Sequence, residues 1–256
     1  MKTSPIKAIL CDIGGVLYVG DTPIEGAVEA VSQIKQHYPI RFLTNTTQKT
    51  SAQVVGKLQA MGFDIDASEI ITALDVTKSL LQEDKSGAYY LLTDDAAAYF
   101  DDLPQTPCKF VVVGDAQQNF SFAHMNRAFR VLMDGGQLLA AAKNRYFKES
   151  DDRLSMDAGG FVAALEYASG KQARIIGKPS RDFYHLACKA MEAKPEETLM
   201  IGDDIESDIL GAQEAGLKAV LVETGKFTPS DLKRGITPDE TIASIADLKN
   251  IKDLKL

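Results

Sequence analysis

The sequence lacks the features that mark disulfide-bonded, secreted or membrane-spanning proteins. It has only three cysteines (Cys11, Cys108 and Cys188), whose odd number and wide separation predict neither a disulfide framework nor a thiolate metal site. The first apolar run, from Ala8 to Cys11, ends at Asp12 and is too short for a signal peptide. No stretch approaches the roughly 20 apolar residues that a membrane span requires. We therefore expect a cytoplasmic protein without a membrane partner.

The chain also lacks an excess of positive charge. Its 28 lysines and arginines are outnumbered by 36 aspartates and glutamates, which gives a formal net charge of -8. Nucleic acids and anionic membranes are polyanions that do not attract such a surface, so the composition argues against a nucleic-acid partner. A small anionic substrate stays compatible with this charge, because it responds to the local field of its binding site.

Short apolar runs alternate with amphipathic segments of helical length along the chain. Unalternated apolar runs are typical of parallel strands that are buried on both faces. The spacing predicts strands at Ile6–Cys11, Ile40–Leu43, Tyr89–Leu92, Phe110–Val113, Leu138–Ala142, Ala173–Ile176, Thr198–Ile201 and Ala219–Val222. Strands that alternate with helices indicate βαβ crossovers, and therefore an α/β fold with a doubly wound parallel sheet. Phe122, Phe129 and Tyr99 recur on apolar faces in the middle part of the chain, and we expect them in the hydrophobic core of that part and not in a stacking platform.

Polar side chains follow four of the predicted strands within three residues. In chain order they are Asp12, Thr44 with Asn45, Lys178, and Asp203 with Asp204. Ligands of an open parallel sheet gather outside the carboxyl ends of its strands, so we expect these side chains to converge on one rim. Carboxylate oxygens are the ligands that Mg²⁺ prefers, and an amine and a hydroxyl suit a phosphate. The pattern predicts a joint site for a divalent cation and a phosphate.

Asp12 is the candidate nucleophile at this rim. A phosphate dianion repels a carboxylate, so attack requires positive charge that masks the phosphoryl oxygens. Mg²⁺ held by Asp12, Asp203 and a loop carbonyl, with Lys178 on the opposite side, meets that requirement. Positioning and electrostatics of this kind carry most of the catalysis in phosphoryl transfer. The expected product is an aspartyl phosphate, which water then hydrolyses.

Each of these residues has an ordinary explanation when it is taken alone. Asp12 is compatible with a turn or a helix cap, and Lys178 with a solvated loop. The stretch GDDIESD, which lacks EF-hand spacing, is compatible with carboxylates that complement a helix N-terminus. The joint occurrence of these residues after strands is what favours the phosphate and magnesium site.

Four motifs in this order, CDIGGVL, FLTNTT, IIGKPS and MIGDDIESD, resemble the signature motifs of the haloacid dehalogenase (HAD) superfamily. Flanking runs such as RFLTNTTQK, ALEYASG and TGKF extend the resemblance over nearly the whole chain, and they are similar to subfamily IIA. The resemblance implies a Rossmann-like catalytic core formed by residues 1–77 and 173–256. It also implies that residues 78–172 form an inserted α/β cap domain that serves as the substrate lid.

The resemblance further implies how the metal would be held. Asp12, the backbone carbonyl of Gly14 and Asp203 correspond to the Mg²⁺ ligands of the superfamily. Asp204 and Asp208 correspond to carboxylates that support these ligands from behind.

Residues for the substrate are implied in the same way. Thr44, Asn45 and Lys178 would bind the phosphate, and Lys178 would also steady the nucleophile. Arg145, in the loop Lys143–Lys148 of the cap, is the candidate contact for the rest of a small phosphorylated substrate. A homodimer is compatible with this architecture.

Gly14 departs from the pattern of many phosphatases of the superfamily. They carry an aspartate two residues after the nucleophile, which acts as general acid and then general base. Glycine cannot transfer a proton, and such help is typically worth about 10²–10⁴-fold. Asp204 and Glu206 are candidates for a replacement base.

The absence of this acid predicts which substrates react. We expect a preference for leaving groups that need little protonation: pyrophosphate, P–N bonds such as those of phosphohistidine and phospholysine, and aryl phosphates. The alternative function is a catalytically weak relative that binds a phosphorylated ligand or partner.

Overall fold

The computed structural model describes residues 5–148, 153–251 and 254, and the chain divides into two compact units. The first unit lies within residues 1–44, 51–71 and 178–256, and the second within residues 45–50 and 72–177. The chain therefore passes between units at 44/45, 50/51, 71/72 and 177/178. The sequence-based boundaries are 77/78 and 172/173. None of the described helices is both long enough and apolar enough to cross a membrane.

The strands of the described residues are short and mostly buried. In chain order they are β1 (Ala8–Asp12), β2 (Tyr18–Val19), β3 (Thr22–Pro23), β4 (Ile40–Thr44), β5 (Ile70–Thr72), β6 (Gly87–Leu91), β7 (Cys108–Val113), β8 (Gln137–Ala140), β9 (Tyr146–Lys148), β10 (Leu154–Met156), β11 (Arg174–Ile175), β12 (Thr198–Gly202), β13 (Lys218–Val222) and β14 (Glu240–Ile242).

The helices fall between these strands. The α-helices are α1 (Ala27–His37), α2 (Ser51–Ala60), α3 (Ala73–Asp84), α4 (Asp94–Ala98), α5 (Phe122–Met133), α6 (Ala158–Ser169), α7 (Arg181–Lys189) and α8 (Gly211–Glu214). Short 3₁₀ turns cover Ala67–Glu69, Gln117–Asn119, Pro195–Glu197, Asp231–Lys233 and Ile245–Asn250, and a π-helix covers Ile205–Leu210.

A six-stranded sheet forms the centre of the first unit. Its strand order is β14–β13–β12–β1–β4–β5, and β1 pairs in parallel with both β4 and β12. Every residue of β1 and β12 is buried, as expected for strands covered on both faces. One face of α1 packs into this core through Ala27, Val31 and Ile34. The predicted doubly wound α/β fold is confirmed.

A four-stranded parallel sheet forms the centre of the second unit, in the order β11–β8–β7–β6. The strand predicted at Ala173–Ile176 corresponds to β11, and it pairs with β8 here, with Arg174 opposite Leu139. The prediction that this strand belongs to the sheet of the catalytic core is therefore wrong. An apolar run predicts that a strand is buried, but it does not specify which sheet the strand joins.

The expected burial of three aromatic residues is only partly confirmed. Phe122 is 86% exposed, because it is the first residue of α5, which buries Ala128 and Leu132 instead. Phe129 and Tyr99 are half-buried.

Candidate active site

Asp12 is the last residue of the central strand β1 and lies opposite Leu43 of β4. Its carboxylate is buried and pairs with a buried amine: the Lys178 Nζ lies 2.6 Å from Asp12 Oδ1. The same Nζ lies 2.6 Å from Asp208 Oδ1, so one ammonium bridges two carboxylates. A bridge of this kind fixes the Asp12 carboxylate at the carboxyl end of the sheet.

Asp203 and Asp208 lie in the segment that follows β12, which pairs with β1 on the side opposite β4. Asp203 directly follows β12, and Asp208 lies in the π-helix that comes next. Asp208 Oδ2 accepts hydrogen bonds from the backbone amides of Asp203 and Asp204 at 3.2 Å. A Cβ at Gly202 would lie 2.2 Å from the Asp208 Cβ, so only glycine allows this approach.

The cluster of carboxylates carries a large electrostatic cost. Burial, together with the charges of Asp12 and Asp208, raises the pKa of Asp203 to about 8. Burial also raises the pKa of Asp208, to about 6, although Lys178 opposes this shift. Burial by itself lowers the pKa of Lys178, but the carboxylates of Asp12 and Asp208 outweigh it and hold the pKa well above its ordinary value. Lys178 is therefore a permanent cation, and the carboxylates favour a further positive charge.

The donor set fits a hard divalent cation. One carboxylate oxygen from each of Asp12, Asp203 and Asp208 lies within 4.8 Å of the others. Both oxygens of Asp208 already accept hydrogen bonds, whereas Asp203 Oδ1 is buried and has no hydrogen-bond partner in the described part of the chain. A buried acceptor without a partner is costly, and a cation satisfies it. Asp12 and Asp203 therefore fit as metal ligands, whereas Asp208 fits as the carboxylate that holds Lys178 and the Asp203 backbone in place.

Two loops hold the Asp203 carboxylate in place. Its Oδ2 accepts a hydrogen bond from the Lys226 amide at 2.7 Å, which leaves Oδ1 for a ligand. A Cβ at Gly15 or at Gly225 would lie about 2 Å from Asp203 Oδ2, at 1.9 and 2.1 Å, and both glycines have positive φ. Thr224 Oγ1 donates to the Gly15 carbonyl at 2.5 Å and joins the two loops. We call Gly15 together with Thr224–Lys226 the Asp203 clasp.

The sequence reasoning missed the clasp although the signal was present. Thr224 and Lys226 follow the predicted strand Ala219–Val222, just as Asp12 and Asp203 follow theirs. The rule that located the other site residues also applies at this strand, which is β13.

Gly14 lies in the loop after β1, where it forms a bridge with Tyr18 at the start of the β2–β3 hairpin. It is exposed, its φ is not in the left-handed region, and no heavy atom lies within 4 Å of the position that a Cβ would occupy. Neither packing nor backbone conformation therefore requires glycine here. The assignment of the Gly14 carbonyl as a metal ligand stays a prediction.

The two candidates for a replacement base are both engaged elsewhere. Asp204 Oδ1 accepts hydrogen bonds at 3.0 Å from the amides of Glu206 and Ser207 and caps the π-helix. Glu206 is exposed, and its carboxylate pairs with Arg234. These contacts favour structural roles for both carboxylates.

The predicted phosphate-binding residues are distributed over both units. Thr44 ends β4, one residue beyond the partner of Asp12. Asn45 belongs to the second unit, where its Oδ1 would lie 2.6 Å from a Cβ at Gly177. Arg145 is an exposed residue of the second unit. The roles of all three in phosphate binding stay predictions.

Lys143 begins the loop that contains Arg145. Its Nζ pairs with both carboxylate oxygens of Glu166 at 2.8 Å. This pair occupies the Lys143 ammonium within the second unit, so Arg145 is the better candidate of the two for a substrate contact.

Comparison with known proteins agrees with this geometry. Residues 9–103 match the family described as haloacid dehalogenase-like hydrolase, and residues 175–248 match the one described as HAD-hydrolase-like. The chain is 40% identical to phospholysine phosphohistidine inorganic pyrophosphate phosphatase of Rattus norvegicus, over 90% of this chain and 87% of that protein. It is 38% identical to haloacid dehalogenase-like hydrolase domain-containing protein 2 of Homo sapiens, over 88% and 87%.

A solved structure shows the same fold. The p-nitrophenyl phosphatase from Archaeoglobus fulgidus superimposes with a TM-score of 0.89 at 23% identity, over 96% of this chain and 99% of that one. The identity to the two relatives extends over most of both chains. The chain therefore belongs to the haloacid dehalogenase-like hydrolases.

Proposed function

We propose that this hydrolase is an Mg²⁺-dependent phosphatase that acts through an aspartyl phosphate on Asp12. The observation that carries the proposal is the Lys178 ammonium, which lies 2.6 Å from both Asp12 and Asp208. These carboxylates cluster with that of Asp203, whose Oδ1 has no hydrogen-bond partner among the described residues. Mg²⁺, when bound, would mask charge on the phosphoryl oxygens. Asp12 and Asp203 would hold it, because their oxygens lie within 4.8 Å of each other.

The reaction proceeds in two displacements. An Asp12 carboxylate oxygen attacks phosphorus, the bond from phosphorus to the leaving atom breaks, and the leaving group departs with the electron pair. Water then attacks the aspartyl phosphate, so that its hydroxide joins phosphorus, its proton passes to solvent and the Asp12 carboxylate is restored. Lys178 stabilises charge in both steps because it is held in place before the reaction begins.

The substrate class follows from Gly14. No side chain at this position can protonate a departing group, so alkyl phosphates react slowly. Pyrophosphate and aryl phosphates react faster, because their leaving groups depart as stable anions. Phosphoramidates such as phosphohistidine and phospholysine also react faster, because their nitrogen takes a proton from water before the P–N bond breaks. The name of the relative from Rattus norvegicus, with its pyrophosphate and phosphoramidate substrates, supports this class and favours turnover over mere ligand binding.

The second unit is the substrate lid in this proposal. Its two segments, residues 45–50 and 72–177, lie in the chain between Thr44 and Lys178, two residues of the proposed site. A lid would exclude bulk water from the reactive intermediate, and Arg145 would contact the substrate from it. Homodimer formation stays a prediction that the molar mass in solution checks.

Initial rates on pyrophosphate and p-nitrophenyl phosphate test the proposal. We expect turnover with Mg²⁺ that a chelator abolishes, and a loss of at least about 10³-fold in Asp12→Asn, because the nucleophile is gone. Asp247→Asn, which removes the same charge from the 3₁₀ segment Ile245–Asn250, should retain the wild-type rate. Thermal stabilisation by these compounds without any turnover would support the binding alternative and contradict the proposal.

A further inference from the structure

Lys226 lies beside the carboxylate cluster but has no role in the reaction described above. Its backbone amide donates a hydrogen bond to Asp203 Oδ2 at 2.7 Å, so the Lys226 backbone lies next to a proposed metal ligand. Its ammonium lies 3.5 Å from Asp204 Oδ2, and its side chain is 68% exposed. The ammonium is therefore between the carboxylate cluster and solvent, where an incoming anion meets it.

The charges at this end of the sheet require another cation. Four carboxylates, those of Asp12, Asp203, Asp204 and Asp208, lie near the buried amine of Lys178. A divalent cation together with Lys178 leaves one negative charge uncompensated, and that charge would repel a phosphorylated substrate. Lys226 supplies the cation that balances it.

The Lys226 side chain is only weakly held. Its contact with Asp204 is a single exposed ion pair at 3.5 Å, a kind of pair that contributes little stability. The ammonium stays charged at neutral pH and exchanges its partner at low cost.

We propose that the Lys226 ammonium forms a subsite for a second anionic group, so that the site favours phosphorylated compounds whose leaving group is itself negatively charged. This inference rests on the proposed function. It adds that charge on the leaving group is recognised in addition to its low need for protonation. The substrate class is therefore phosphoanhydrides and phosphorylated acids in preference to neutral aryl phosphates.

A matched pair of aryl phosphates isolates this charge. 3-Carboxyphenyl phosphate and 3-carbamoylphenyl phosphate have nearly the same shape and differ by one negative charge on the leaving group. We expect Lys226→Gln to lower kcat/KM for the carboxylate compound, and for pyrophosphate, by about tenfold, mainly through KM, and to change the amide compound by less than about twofold. Lys226→Arg should retain the preference, and added salt should weaken it in the wild type.

Two controls separate the side chain from the metal site. Lys249→Gln removes the same charge from an exposed position and should leave both compounds unaffected. Lys226→Gln should bind Mg²⁺ at least as tightly as the wild type, because it retains the amide that holds Asp203 and loses a repelling cation. Equal losses on both aryl phosphates, no loss on either, or weaker Mg²⁺ binding would each overturn the subsite.

Failure of the proposed function would be visible separately. In that case the wild type hydrolyses none of the three compounds, whatever the residue at position 226. Calorimetric titration of the two aryl phosphates in the presence of Mg²⁺ then decides the subsite, which predicts that Lys226→Gln lowers the affinity ratio about tenfold. An unchanged ratio would overturn it.

Discussion

The two parallel sheets of this protein use the carboxyl ends of their strands in different ways. In the four-stranded sheet, polar residues after the strands are satisfied locally: Asp94 accepts from Asn119 at 2.9 Å, and Asp115 accepts from the Gln117 amide at 3.0 Å. In the six-stranded sheet, Asp12 and Asp208 share one buried ammonium, and Asp203 Oδ1 has no described partner. Parallel architecture alone therefore does not make a site. The six-stranded sheet, which carries the candidate site, differs in having buried charges that local hydrogen bonds do not satisfy.

The largest effect is expected where the buried ion pair is broken. Lys178→Met leaves the carboxylates of Asp12 and Asp208 without their shared cation, so we expect a loss of about 3–5 kcal/mol in the free energy of unfolding. Turnover should fall by at least about 10³-fold because the phosphoryl charge is no longer stabilised. Urea unfolding and initial rates measure both quantities.

The corresponding change in the other unit is Lys143→Met. The Lys143–Glu166 pair is 2.8 Å long, but its lysine is 32% exposed, so its loss should cost less than about 1 kcal/mol. Similar destabilisation by the two substitutions would contradict the contrast between the sheets.

A gain of activity is expected at Gly14. Because a Cβ there meets no heavy atom within 4 Å, Gly14→Asp should fold normally and supply the missing proton donor. We expect kcat/KM for an alkyl phosphate to rise by about 10²–10⁴-fold, with little change for an aryl phosphate. Gly14→Asn provides the isosteric control that cannot act as an acid. An equal gain in both variants would show that protonation is not the limiting step.

The Asp203 clasp offers a smaller and more specific perturbation. A Cβ in Gly225→Ala would lie 2.1 Å from Asp203 Oδ2, so the carboxylate must move, and Mg²⁺ affinity should fall by about 10–100-fold. Gly235→Ala is the matched control: its φ of 79° is also positive, but no atom lies within 4 Å of its Cβ position. Mg²⁺ titrations of activity measure the affinity, and equal losses in both variants would indicate backbone strain alone.

The smallest effect is the pH dependence of metal stabilisation. The pKa of Asp203 is raised from 3.8 to about 8, so its contribution to the stability of the metal-free protein is fully present below about pH 4 and is lost as the pH rises through about 8. In the proposed metal site, Mg²⁺ would compete with that proton. We therefore expect the increase in Tm at a fixed Mg²⁺ concentration to be larger at pH 8.5 than at pH 5.5, reaching on the order of 5–10 °C near saturation. Asp203→Asn should reduce the difference, and an increase that is independent of pH would contradict this account.

The sequence by itself predicted the fold class and the residues of the buried ion pair. Asp12 and Lys178 of this ion pair, like the neighbouring Asp203, follow apolar runs, and such runs indicate strands whatever their partners are. These features can be predicted from the sequence, because an apolar run and the polar residue that follows it are both properties of a short segment.

Only the tertiary structure decided which segments meet. It placed β11 in the sheet of the second unit, although its apolar run resembles those of the core, and it brought Gly225 against Gly15 around Asp203. These contacts join residues that are far apart in the chain, so no short segment encodes them. Side-chain packing and the satisfaction of buried charge select them once the whole chain is folded.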